Sequence, residues 1–377
     1  MLMDLNQLCL SANVPLETLS FQRAKGAEYF WILLISGASK SISISQMYFA
    51  SDGSSSIAPI IEEIKRAATR GVDVFIEIDA HVFRRNVEAQ NDWYTIPILD
   101  LQKHENVRVH LNENRRKSDG ILHAKCIVAD RARLWLGSNN MDWRALEHIF
   151  ELGIFLESSE LSRVLDAAIR EPASGSTFVS ASTSLPPNSI WLDGNSHHAE
   201  LTISPSNDAG GGLRDSVEAL VELVDEATKS ISLSTRKISN RYRDIDSGCW
   251  DTLVDRLAKA VHRGVTVRIL VDEYQLSKPS DLEFVVNWPK RAGVTMRIVR
   301  VPPHSSGKIP HARMHHAKCL ITDQRTTWIG SNNMMPDDFL RARNFGLLIE
   351  NVRLAKEASQ FFDMIWDSPY AIELPID

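Results

Sequence analysis

Two short segments carry the same reactive side chains. "ILHAKCIVAD" (121–130) and "MHHAKCLITD" (314–323) align so that His123 matches His316, Lys125 matches Lys318 and Asp130 matches Asp323. On that register His315 falls opposite Leu122, so His316 is the candidate and His315 its neighbour. After each aspartate six residues intervene before Gly-Ser-Asn-Asn, with Ser138 and Asn140 in one copy and Ser331 and Asn333 in the other. On an extended strand alternate side chains point the same way, so each histidine shares a face with its lysine. Lysine is almost never buried without a partner, which makes this pair a poor core. The pair suits a phosphate: lysine holds non-bridging oxygens, imidazole approaches phosphorus, and the Ser and Asn side chains donate to the same oxygens. A surface strand edge would account for one such pair, but two copies with matching offsets argue against it. Asp130 and Asp323, at the strand ends, are expected to be structural.

The elements that position these residues are duplicated too. "ASKSISISQ" (38–46) matches "ATKSISLST" (227–235), "RGVDVFIEID" (70–79) matches "RGVTVRILVD" (263–272), and "WLGSNNM" returns as "WIGSNNM". The period of roughly 190 residues is too long for a solenoid and indicates a duplicated domain. In each copy an alternating β run leads to a helix, 57–69 or 250–262, with one apolar face. Gly71 and Gly264 end those helices, and a buried-type strand follows. Strand, helix and strand with short connections make βαβ units, hence a largely parallel sheet covered by helices. The stretch 171–212, rich in Ser, Pro, Asn and Gly, reads as a mostly irregular connection with a short strand at 200–204. The expected division is therefore 1–170, 171–212 and 213–377.

The doubled His-X-Lys-X4-Asp motif with Gly-Ser-X-Asn resembles the signature of the phospholipase D superfamily, over about 38–170 and 213–370. The resemblance implies an α/β fold of two tandem pseudo-symmetric lobes, each a mixed, mostly parallel sheet sandwiched by helices, with one active site between them. It also implies a phosphodiesterase that needs no metal and no cofactor. One histidine attacks phosphorus to give a covalent phosphohistidine; the other protonates the leaving oxygen and then activates water or an alcohol. In many relatives the N-terminal histidine attacks, which favours His123, with the two roles open here. Family members orient each imidazole with a carboxylate downstream of the motif. Glu151 lies 28 residues after His123, and the same offset from His316 lands on Asn344. By offset, then, Glu151 serves His123 and Asn344 serves His316. "GSNNMDWRALEHIFELG" (137–153), "IPHARMHHAKCLITD" (309–323) and "WDSPY" (366–370) look like the branch of animal endolysosomal 5′-exonucleases and their poxviral relatives.

Composition limits the substrate less. Net charge is −6, so a polyanion must be met by local cations. "NRRK" (114–117), Lys308 and Arg313 flank the motifs, and Tyr48, Trp93 and Trp143 could stack bases. Single-stranded DNA or RNA is the expected partner, with phospholipid as the alternative. A lipid enzyme would want an apolar entrance or amphipathic helix at the cleft, and the sequence shows no clear one. Both histidines come from one chain, so a monomer suffices for catalysis and no protein partner is required. The cysteines Cys9, Cys126, Cys249 and Cys319 form neither a zinc spacing nor a disulfide framework. The apolar run 29–38 is too short to span a bilayer and reads as a buried helix. With no signal peptide recognised, a cytoplasmic location is expected.

Overall fold

The computed structural model describes residues 8–53, 56–113, 120–170, 189–192, 197–205, 213–240 and 251–373. The alternation in "SISISQ" and "SISLST" makes two strands, Ser41–Gln46 and Ser230–Thr235, whose residues Ile42, Ile44, Ile231 and Leu233 are fully buried. Each chain run then passes through a helix (Ala58–Thr69; Asp251–His262) into a parallel neighbour (Asp73–Asp79; Thr266–Asp272). Gly71 and Gly264, at φ +88° and +90°, make the exits from those helices in the left-handed region. A further parallel strand follows in each half, Val107–Asn112 and Thr295–Val299.

On its other side each central strand has an antiparallel neighbour that follows the reactive residues: Lys125–Ala129, itself carrying the first motif lysine, and Cys319–Thr322. A three-residue connection reverses the chain into Arg133–Gly137 or Thr326–Gly330, and the orienter strands Ile149–Glu157 and Asn344–Glu350 follow. Asp130 and Arg131 both lie at φ +53°, and Asp323 and Gln324 at +54° and +51°, the left-handed conformation tight hairpins need. Such turns leave no room for a crossover. Each sheet is therefore mixed as expected, but the expected parallel majority does not hold: parallel pairing is concentrated in the βαβαβ part.

The same aspartates tie the hairpins to the central strands. The Asp130 carboxylate accepts from the backbone N–H of Ser39 (2.9 Å), Lys40 (2.7 Å) and Ser41 (3.0 Å). Asp323 accepts in the same way from Thr228 (2.9 Å), Lys229 (2.7 Å) and Ser230 (2.9 Å).

Helices Ala27–Ser36 and Ala58–Thr69 cover the outer face of the first sheet; Phe30, Trp31, Leu34 and Ile35 of the 29–38 run are buried there. Helices Ser216–Glu226, Asp251–His262 and Pro279–Ala292 cover the second. Between the two sheets lie Ser159–Arg170 and Val352–Trp366. Their Leu165, Ile169, Phe361 and Phe362 join Cys126 and Val128 of one sheet to Cys319 and Ile321 of the other in a single core. Cys126 and Cys319 are thus small core residues, and burial pushes both thiols upward, Cys319 to about 12. Among the described residues no helix is long and apolar enough to cross a membrane.

Two boundaries differ from expectation. Within 171–212, Ser189–Leu192 and His197–Ser204 form a hairpin, and the latter pairs with the orienter strand from His198↔Glu350 to Ser204↔Asn344. That part of the connection belongs to the second sheet. At the N-terminus, Leu8–Asn13 adds a strand against Ile149–Glu157 that the sequence reading did not assign.

Candidate active site

The backbone delivers each histidine to the opposite half. Met314–His315, the short strand leading into His316, pairs in parallel with Ile149 and Phe150 of the first sheet. The His316 N–H then donates to the Phe150 carbonyl at 2.9 Å. In the mirror arrangement the His123 N–H donates to the Arg343 carbonyl, and the Arg343 N–H to that of Ile121, both at 2.9 Å. The residues that orient the imidazoles are therefore exchanged. His316 Nδ1 lies 2.8 and 3.0 Å from the two Glu151 oxygens, and His123 Nδ1 lies 2.9 Å from Asn344 Oδ1. Equal offsets within each copy had matched Glu151 to His123; strand pairing across the halves overrides that match.

With Nδ1 of both rings engaged, Nε2 is left for the cleft that His123 and His316 line together, a cavity of about 900 Å³. Lys125 and Lys318 are buried beneath it, each Nζ donating to its own motif histidine's carbonyl at 2.6 Å. Burial brings Lys125 down to about 7 against the pull of Glu151 and Asp338, and it depresses Lys318 strongly. Burial, then the lysine charges, also holds both imidazoles well below the ordinary histidine value. Glu151, fully buried, is pushed up to about 7 by burial, with Lys318 opposing. Burial leads every one of these shifts, and in so dry a site the two lysines and two imidazoles would be relieved by an anion.

Ser138 and Ser331 do not face that anion. Ser138 Oγ donates to the Leu152 carbonyl (3.0 Å) and accepts from the Leu152 N–H (2.9 Å); Ser331 Oγ donates to Asn344 Oδ1 (2.9 Å). Both are buried behind the orienters and fix them, which corrects their expected role as phosphate donors. Asn140 and Asn333 do line the cleft. His315 points away into the core, its Nε2 2.6 Å from Ser234 Oγ, and burial brings it down to about 3.

Arg236 and Asp338 are among the cleft residues, with Arg85 and Tyr94, that the sequence did not single out. Arg236, at the end of the central strand Ser230–Thr235, lines the cleft over the Tyr274 ring at 4.6 Å, where the first copy has Met47. Asp338, on the short helix Pro336–Leu340, places Oδ1 3.5 Å from His123 Nδ1. Each stands where the repeat has an apolar residue, and that column-by-column contrast was the available signal.

Of the expected phosphate-binding surroundings, 114–117 lie outside the described residues. Arg313 is buried, donating to the Pro302 and Leu16 carbonyls (both 2.7 Å), and so braces a loop. Lys308 is exposed. Tyr48 and Trp93 line the cleft beside Tyr94, with Trp93 45% exposed; Trp143 packs against Trp93 at 6.5 Å. Tyr48 donates to Asp142 (3.1 Å), and the buried Arg144 donates to Tyr94 (2.6 Å) and to the Pro310 carbonyl (3.2 Å), so this aromatic wall is braced from both halves. Among the described residues no group of three His, Cys, Asp or Glu side chains is placed to hold a metal ion.

A family model described as "Cardiolipin synthase, PLD-like domain" matches residues 32–171 and 220–366. The chain is 27% identical over 380 residues to a protein of Caenorhabditis elegans named probable phospholipase D, spanning 91% of this chain and 66% of that one. It is 26% identical over 385 residues to the rat (Rattus norvegicus) protein named 5'-3' exonuclease PLD3, spanning 91% and 75%. Among solved structures the fold is similar to that of a phosphatidylserine synthase from Haemophilus influenzae, with a TM-score of 0.66 at 17% identity over 92% of this chain and 85% of that one.

Proposed function

The chain belongs to the phospholipase D-like domain family and is a phosphodiesterase of the hydrolase class; from that premise we propose that it cleaves single-stranded nucleic acid through a covalent phosphohistidine. The observation that carries the substrate reading is the braced aromatic wall. Tyr48, Tyr94 and the exposed Trp93 stand in the same cleft as Arg85 and Arg236, a stacking surface with cations for a polyanionic backbone. The relatives named 5'-3' exonuclease support it and suggest attack from the 5′ end.

The exchanged orienters support an assignment of roles. A phosphoryl group on Nε2 leaves positive charge on the ring, which a carboxylate at Nδ1 offsets and an amide does not. His316, backed by Glu151, is therefore the nucleophile, in place of His123, which the pattern of many relatives favours. Its Nε2 lone pair forms the P–N bond as the P–O bond to the leaving oxygen breaks. His123 gives its Nε2 proton to that oxygen. Water then attacks phosphorus, returning a proton to His123 as the P–N bond breaks. Lys125, Lys318, Asn140 and Asn333 supply the phosphate's surroundings, and no metal or cofactor enters a step.

One observation favours the second reading, a phospholipid substrate. Val87, Trp93, Ile96 and Leu99 stand exposed on the helices Ala80–Glu88 and Asp92–Leu101 that border the cleft. This is an apolar face of the kind the sequence did not reveal.

The deciding experiment offers 5′-labelled single-stranded DNA and RNA, and separately phosphatidylglycerol or phosphatidylcholine vesicles, with EDTA present. We expect oligonucleotide cleavage, lost about 10³-fold in His123→Ala and His316→Ala, and a quenched phosphoryl group on the peptide containing His316. Headgroup release without oligonucleotide cleavage would overturn the nuclease reading, and loss of all activity in EDTA would overturn the mechanism.

A further inference from the structure

We propose that Asp338 is a positioning residue for His123, supplying from the helix Pro336–Leu340 the carboxylate that the orienter strand of the second half lacks. The inference rests on the role of His123 as proton donor given above.

Aligning the two copies through Gly-Ser-Asn-Asn sets Glu151 against Asn344 and Ala145 against Asp338. The second copy has thus lost a carboxylate at the strand position and carries one six residues earlier, where the first copy has a methyl group. The fold brings the relocated group to the same imidazole. Asn344 Oδ1 takes the close position on His123 Nδ1 at 2.9 Å, and Asp338 Oδ1 lies just behind at 3.5 Å. The two act as a unit: Asn344 Nδ2 donates to the Asp338 carbonyl oxygen at 2.7 Å. The Asp338 carboxylate is itself fixed by the Asn333 N–H (3.0 Å) and Nδ2 (3.1 Å).

These bonds alone would be served by an asparagine's oxygen. What only aspartate adds is negative charge, held 7% exposed beside a ring that must be an imidazolium to donate its proton. The charges acting on the pair are Lys125, two residues after His123, Lys318 from the second motif, and, on His123, Arg236 from the end of the central strand; His316 and Glu151 stand beyond them, Glu151 acting on Lys125. Lys125, Lys318 and Arg236 drive His123 toward the neutral form; Asp338 is the carboxylate beside it that opposes them. Asn344 sets the direction of the ring, and Asp338 keeps the proton on it. In the step it supports, the proton on His123 Nε2 moves to the leaving oxygen as the P–O bond breaks, so its effect scales with how much that oxygen needs protonation.

The test compares the parent chain with Asp338→Asn, Asp338→Ala and the double variant Asp338→Ala/Asn344→Glu. Substrates are a single-stranded oligonucleotide and bis(p-nitrophenyl) phosphate, whose leaving group needs no proton. Asp338→Asn should lower oligonucleotide kcat about tenfold to a hundredfold and move the alkaline limb of its pH profile to lower pH. It should change the first-turnover release of p-nitrophenolate from bis(p-nitrophenyl) phosphate, the step that takes no proton from His123, by less than about threefold. The double variant, which restores the carboxylate at the strand position, should regain most of what Asp338→Ala loses. Equal losses on both substrates with an unmoved alkaline limb would make Asp338 a structural residue and overturn the proposal. Oligonucleotide turnover indifferent to His123→Ala in the parent protein would remove the mechanism beneath it, and the proposal with it.

Discussion

A buried carboxylate whose pKa is raised stabilises the folded chain least when it is ionised. Glu151 titrates near 7 in the folded protein, pushed up by burial. Its ordinary value is lower, so its contribution to stability is greatest in acid and is lost as the pH rises through about 7. In the mechanism proposed above, its ionised form is nonetheless the one that supports attack by His316. Glu151→Gln should therefore lower kcat about 10²-fold or more while raising Tm at pH 8 relative to the parent by more than at pH 6. Melting curves at the two pH values check this; a Tm deficit larger at pH 8 would mean the charge is stabilising. Activity of the parent should fall on the acid side of about 7 as Glu151 takes up a proton, seen in the kcat profile. At this scale the positions of the paired histidines, lysines and aspartates were legible from the agreement of the two copies, as was the fact that Glu151 and Asn344 differ, whereas Ser138 and Ser331 agree too and yet bond to the orienter strands. It was misleading about which imidazole each serves, because an offset along the chain does not register a neighbour from the other half. Asp338 and Arg236 were hidden by belonging to one copy alone.

The orienter strands owe their placement to a ring packed on a glycine. Trp135 and Trp328, both fully buried, lie against Gly153 and Gly346, each two residues beyond an orienter. A Cβ on Gly153 would stand 2.6 Å from Trp135 Cζ2, and one on Gly346 2.5 Å from Trp328 Nε1. Neither ring has room to retreat. Gly153→Ala should cost about 1–3 kcal/mol through overpacking and also reduce kcat by shifting Glu151, measured by denaturant unfolding and steady-state rates. An unchanged rate would show that the strand absorbs the displacement beyond the orienter. The sequence announced the helices through their apolar period and the central strands through alternation. It did not announce pairing direction, which is set by two left-handed residues in each hairpin. Nor did it announce the strand at Leu8–Asn13, or that the strand expected at 200–204 starts at His197 and pairs with Asn344–Glu350; in both cases the partner is distant in the chain.

The molecule is one cooperative body, because helices Ser159–Arg170 and Val352–Trp366 lie in a core that faces both sheets. Phe361→Ala, deep in that layer, should cost about 3–5 kcal/mol and lower the melting of both halves together. A single calorimetric transition in parent and variant checks this, and two resolved transitions would contradict it. The duplication was plain in the sequence; the shared core was not, since apolar patterning marks a buried face without naming what covers it. A tandem copy ordinarily gives a lineage freedom, one copy conserving the trade while the other wanders. Here the crossed strands withdraw that freedom. Each half holds the other's reactive ring, so a change at Glu151 is felt by the motif more than 160 residues away, and a half set loose would have to find a second before it could do any chemistry.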